Sequence, residues 1–197
     1  MPLTKVRNQG LSFTSGVRNL IINGAMRVAQ RGTSISYAHD GTTSAYCLDR
    51  FKFILSSNND QLDGTITQVS DGPTGFANSL KWTTGTAETT IDANESVYLE
   101  HKIEAQNLQH LEYGASTAKA ITLSFYVKSS VTGTFTCGIY AGDSARIIGS
   151  TYTINSANTW ERKTITFAGD TGGTINNDTG EGLRPVWSLV AGSDLLQ

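Results

Sequence analysis

Three histidines, His39, His101 and His110, are the side chains of this chain best suited by type to metal binding or proton transfer. Their spacing supplies neither. A zinc hydrolase places two histidines an α-helical turn apart, as in HExxH, and no such pattern occurs. Because His101 shares the apolar side of its segment with Val97, Leu99 and Ile103, it is expected to be a core histidine satisfied by a backbone partner. Glu95, Glu100, Glu104 and Glu112 could divide into an acid and a base, but glycoside hydrolysis needs two carboxyl groups held at a set separation, which this spacing does not specify. They read as solvated carboxylates. Asp170, Asn176, Asn177, Asp178 and Glu181 are oxygen ligands of the kind calcium takes, yet their spacing matches no calcium loop, and a solvated loop is expected. There is no GxSxG, P-loop or GxGxxG, and the glycine-rich stretch 169–182 lacks the strand and helix flanks of a phosphate cradle. Cys47 and Cys137 have no metal-like spacing and read as free thiols. A protein that is not an enzyme, with no metal or cofactor, is the expectation.

Aromatic residues carry the positive binding signal. Tyr126 and Tyr140 alternate with apolar residues and so face away from the core; Tyr98 does the same in its own segment, and Trp82 lies on a weaker strand. A flat ring stacks on the apolar face of a sugar while Asn, Thr and Ser beside it bond its hydroxyls. Trp82, Tyr98, Tyr126 and Tyr140 are therefore candidates for a glycan platform, and the competing reading is that tyrosine is simply a good strand former.

The elements that must position these rings are strands. Within 119–140, Ile121, Leu123, Phe125 and Val127 alternate in one run, and Phe135, Cys137 and Ile139 in another. Period-two alternation marks a half-buried strand, and the short polar join between the runs predicts a β-hairpin whose apolar face needs a second layer. Residues 46–55, 62–70, 96–105, 146–155 and 159–168 read as further strands, the last led by Trp160 with Ile165 and Phe167 toward the core. Residues 80–84 make a weaker one, and 19–29 a short one broken at Asn23-Gly24. Residues 107–111 suggest one helical turn capped by Asn107, and 183–190 a strand whose Pro185 implies an edge or a bulge. Nine or ten strands predict an all-β sandwich, most simply a jelly roll, over residues 20–197.

Residues 1–19 hold isolated apolar side chains without a period and predict an extended arm, with Leu11, Phe13 and Val17 as candidate docking or oligomer contacts. Of the 197 residues, 38% are hydrophobic and only 16% charged, so solubility falls to Thr, Ser, Asn and 20 Gly. A net charge of -2 without a basic cluster argues against a nucleic-acid partner. No apolar run is long enough for a membrane helix, and no export signal is visible, so no membrane partner is expected.

Residues 101–135 (HKIEAQNLQHLEYGASTAKAITLSFYVKSSVTGTF), followed by 151–174 (TYTINSANTWERKTITFAGDTGGT), resemble the carbohydrate-binding-module-type jelly roll of bacteriophage virion proteins. The opening NLIINGAMRVAQRGTS at 19–34, followed by DRF at 49–51, is similar to the start of phage tail fibres and related structural proteins. The resemblance implies a non-enzymatic virion surface protein, assembled in the host cytoplasm alongside other virion proteins. It further implies a homo-oligomer, commonly a trimer, with a host surface glycan as a candidate contact. Two alternatives accompany it: a capsid decoration protein, and a carbohydrate-binding module of a bacterial glycan-active enzyme. Members of the group continue past the counterpart of PVWSLVAGSD (185–194), so the sandwich is expected to lack its C-terminal strand or strands in this chain.

Overall fold

The computed structural model describes residues 19–38, 43–56, 63–86 and 90–193 as an antiparallel β-sandwich. Twelve strands are assigned among the described residues. A seven-stranded sheet holds β2 (Ser44–Tyr46), β3 (Phe51–Ser56), β6 (Ser96–His101), β7 (Ile103–Glu104), β9 (Gly133–Ala141), β10 (Arg146–Ile154) and β12 (Glu181–Ala191). Its order is β10-β9-β12-β6-β3-β2, with β7 beside β12. Facing it are two smaller sheets, β1 (Ser34–Tyr37) with β4 (Gly64–Val69) and β5 (Ser79–Thr84), and β8 (Ile121–Val127) with β11 (Glu161–Phe167).

Each small sheet closes its own core. Tyr37, Ile66 and Trp82 meet Phe51, Phe53, Leu55 and Val97 of the large sheet; Leu123 and Phe167 meet Cys137, Ile139, Tyr152, Ile154 and Leu183. Burying one such side chain contributes about 1.5–3 kcal/mol before the entropy of ordering it is counted. Trp187 belongs to both cores, with its ring 5.8 Å from that of Phe125 and 6.5 Å from that of Phe51. The expected free thiols Cys47 and Cys137 are buried one in each core.

The alternation within 119–140 identified two strands and their inner faces, but the strands are not a hairpin. β8 pairs with β11, Phe125 opposite Lys163, whereas β9 pairs with β10 and β12. Residues 128–132 carry the chain from one layer to the other. The apolar faces of the two strands consequently cover each other, and Phe125 meets Tyr152 edge to face at 5.1 Å.

Pro185 lies neither on an edge nor in a bulge. β12 is central, flanked by β9 and β6, and its register shifts fall between Ser188 and Val190 and between Glu181 and Leu183. Pro185 is paired with Ile139 on the β9 side; toward β6 and β7 the ladder runs Val186↔Glu100 and then Leu183↔Ile103, skipping the proline. A residue without an N–H is tolerated centrally because the ladder lapses over this stretch, where β6 ends at His101, the register position facing Pro185, and β7 begins only at Ile103. Residues 19–29 form turns and no strand, with Asn23 at φ 60°. The expected helical turn is a pair of 3-10 turns, Ala105–Asn107 and Gln109–Leu111, and neither has a side-chain cap. Trp160 precedes β11 and lies outside both cores.

Candidate ligand-contact face

Leu99 and His101 point into the sandwich from β6, as do Leu183 and Trp187 from β12 and Ile139 and Ala141 from β9. Strand alternation then sends Tyr98, Glu100, Arg184 and Tyr140 to the outer face of the large sheet, across three adjacent strands. Arg184 organises this face. Its Nη1 donates to Glu100 Oε2 at 2.9 Å, and its guanidinium carbon lies 4.5 Å from the centre of the Tyr140 ring. Arg184 Nε is 3.3 Å from Glu181 Oε1, an ion pair outside hydrogen-bond alignment, and Lys102 Nζ meets Glu181 Oε2 at 2.6 Å. Two cations and two carboxylates thus alternate across the face. Glu95 and Glu100 are buried, which corrects their reading as solvated carboxylates; Glu100 is only 1% exposed although it lies on an outer face, and Arg184 supplies the opposite charge it needs there. The hydrogen bond from Lys102 to Glu181 holds the ammonium above its ordinary pKa, while burial, followed by the Glu100 charge, raises that of Tyr98.

Beside this network lies a shallow hollow, largely open to solvent, of about 430 Å³, lined by Tyr140, Gly142, Asp143, Glu181 and Arg184. The β9–β10 turn is drawn against the start of β12, where Gly142 N donates to Gly182 O at 3.0 Å. A Cβ on Gly142 would sit 2.4 Å from Glu181 O, so this approach requires glycine. Asp143 accepts from the backbone N (2.9 Å) and side-chain Nδ2 (2.8 Å) of Asn176, which ties the long 169–180 loop to the rim. A phenol ring, a guanidinium and two carboxylates around one concavity can stack on a ligand ring and exchange hydrogen bonds with its hydroxyls.

No protein-family model matches the chain, and no curated protein matches it. Among solved structures, the chain is similar to the enzymatically active domain of tailspike protein 4 from bacteriophage CBA120, with a TM-score of 0.45 and 14% identity over 73% of this chain. It spans 18% of that chain's length. Likeness of this degree leaves function to be argued from the residues themselves.

The four rings expected to form a platform do not lie together. Tyr98 and Tyr140 share the outer face of the large sheet, with the Glu100–Arg184 pair between them. Tyr126 lies on the opposite side of the sandwich, on the outer face of β8, where its ring is 5.8 Å from that of Phe76. Near it Lys128 Nζ bonds Asp71 at 2.6 Å and stands 5.5 Å from the centre of the Trp160 ring. Trp82 faces inward, stacked on Phe53 at 4.5 Å, because its strand shows Leu80 and Trp82 to the core. Its candidacy for the glycan platform is thereby corrected. Arg184 and Asp143 were missed, having no ring to mark them; the alternation of Arg184 with Leu183 and Pro185 was the available signal.

His101 is a core histidine as expected, its Nε2 within 3.1 Å of Ile22 N and 3.2 Å of Ile22 O, and Nδ1 is buried without a partner. The oxygen-rich loop residues do not converge. Asp170 pairs with Arg146, Asn176 with Asp143, Asp178 with the backbone of Gly180, and Glu181 with Lys102. His39, Leu11, Phe13 and Val17, together with the arm itself, lie outside the described residues.

Proposed function

We propose that the chain is a tail-associated surface protein of a bacteriophage virion that acts by contact and not by catalysis, presenting the outer face of its large sheet to a host glycan. The observation that carries the glycan reading is the Tyr140–Arg184 hollow. Its stacking and hydrogen-bonding groups are fixed in advance by Glu100, Glu181 and Asn176, so little ordering entropy is lost when a ligand arrives. The phage assignment draws its support from the 19–34, 101–135 and 151–174 blocks and their resemblance to virion jelly rolls. Trp82 has no part in this role, and Tyr126 would serve a separate surface.

A glycan array probed with the full chain and with Tyr140→Ala tests the contact. Binding that Tyr140→Ala weakens about tenfold, equivalent to ~1.4 kcal/mol, supports it. No binding, or binding that the substitution leaves unchanged, removes it. Release of reducing ends from a bound polysaccharide would overturn the non-catalytic reading. Antibody labelling of purified particles places the chain: a tail location with the copy number of an appendage supports the proposal, and a shell-wide distribution favours capsid decoration. Deleting residues 2–18 should abolish incorporation into particles while leaving the sandwich folded, if Leu11, Phe13 and Val17 dock it.

A further inference from the structure

A strand at the edge of a sheet offers unpaired N–H and C=O groups to any other strand, and folded proteins blunt such edges by shortness, charge, proline, bulges or cover. The edges of this sandwich can be compared one by one. β2 and β1 are short, of three and four residues. β5 exposes Lys81. β11 turns Glu161 and Lys163 toward the interior side, where they pair at 2.6 Å, an inward charge that discourages further pairing. β8 carries residues 71–78 against its end, through Lys128–Asp71 and Phe76–Tyr126.

β10 has only one of these devices, a charge at its first residue. Its nine residues pair with β9 in unbroken register from Arg146↔Ala141 to Ile154↔Gly133, without bulge or proline, and among the described residues no strand pairs with its other edge. Its single charge, Arg146, is bound to Asp170 at 2.5 Å. The next two residues are exposed isoleucines, Ile147 at 66% and Ile148 at 40%, followed by Gly149, beside which a Cβ would meet nothing nearer than 4.0 Å.

From this we infer that the free edge of β10 is a pairing surface for β10 of a second copy of the chain. The strand is complementary to itself. Laid antiparallel about Ser150, it sets Ile147 opposite Thr153, Ile148 opposite Tyr152 and Gly149 opposite Thr151. Outward residues then meet outward, inward meet inward, and Arg146 meets Ile154, so no like charges oppose. One such edge per copy, related by a two-fold axis, closes the assembly at two chains and joins two large sheets into one. Because β10 borders β9, the hollow at Tyr140 would be presented twice on the continuous outer face. The pairing itself does not depend on what that hollow binds.

Sedimentation equilibrium of the full chain, beside Ile147→Lys and Ile148→Lys, tests the inference. Both positions are exposed, so an unchanged far-UV circular dichroism spectrum is expected, with a cooperative thermal transition lowered only by the loss of association. A dimer that dissociates on dilution, converted to monomer by either lysine, supports it. A monomeric wild type overturns it, and so does any oligomer, trimer included, whose mass the two folded variants retain. If a lysine variant fails to fold, Gly149→Asp provides the same charge at the same edge and is read by the same two outcomes.

Discussion

Arg184 stands over Glu100 on the outer face of the large sheet, joined by a 2.9 Å hydrogen bond, with the Glu100 side chain 2% exposed and that of Arg184 22%. The asymmetry in burial decides what each substitution does. Removing Arg184 strands a charge that water hardly reaches, whereas removing the Glu100 charge leaves an arginine that still has Glu181 and some solvent. Arg184→Ala should cost about 3–5 kcal/mol in urea unfolding. Glu100→Gln should cost less, and the reverse order would mean that Glu100 is satisfied by something else.

His101 makes stability depend on pH. Burial holds its pKa below the ordinary 6.5, with the nearby Arg50 charge acting in the same direction. The unfolded chain therefore binds a proton at a higher pH than the folded one. Stability is unaffected above the unfolded value, falls as pH drops below it, and stops falling once the folded pKa is passed. Thermal midpoints measured from neutral to mildly acidic pH should show this loss, and His101→Gln should flatten that part of the curve.

Glu161 works in the opposite range. Lys163, the backbone N–H of Ser156 and both nitrogens of Asn155 bond its carboxylate, which lowers its pKa to about 2. A depressed carboxyl stabilises the fold above its unfolded pKa and loses that contribution as pH falls toward 2. A carboxyl-carbon NMR titration should find the Glu161 midpoint at about 2. Glu161→Gln should remove it and loosen the turn between β10 and β11.

Both thiols should be silent in the native protein. Burial raises the pKa of Cys47 and takes that of Cys137 to about 11, so the reactive thiolate is scarce as well as shielded. A thiol-specific chromogenic reagent should label neither thiol at neutral pH and both on denaturation. Rapid native labelling of Cys137 would contradict its place beneath β8 and β11.

What the sequence made legible was parity. Val97, Leu99 and His101 were assigned to the inside from alternation alone, and Leu123, Cys137 and Ile139 were too, because side-chain direction is a local property of a strand. Partnership is not local. Nothing in 128–132 reveals that the chain crosses between layers, since a short polar join serves a hairpin and a crossover equally well. Pro185 misled for a related reason: its missing N–H is accommodated where the ladder lapses between the end of β6 and the start of β7, some eighty residues earlier in the chain. The candidate site suffered most. Tyr98 and Tyr140 were found because aromatic residues stand out, but Arg184, Asp143 and Gly142 acquire meaning only when β12 lies beside β9.

The layer facing the large sheet is in two pieces, with no ladder between β1-β4-β5 and β8-β11 among the described residues. The large sheet is thus a keel shared by two half-cores, joined by Trp187 and Ile21, which pack against both, by the clasp of Asp71 on Lys128 and Trp160, and by the contact of Phe76 with Tyr126. Opening on one side while the other stays shut is the expected consequence, and hydrogen exchange should read it as a separate free energy of opening for each half. One flank could then be remodelled, by evolution or by a partner, without the other being unmade.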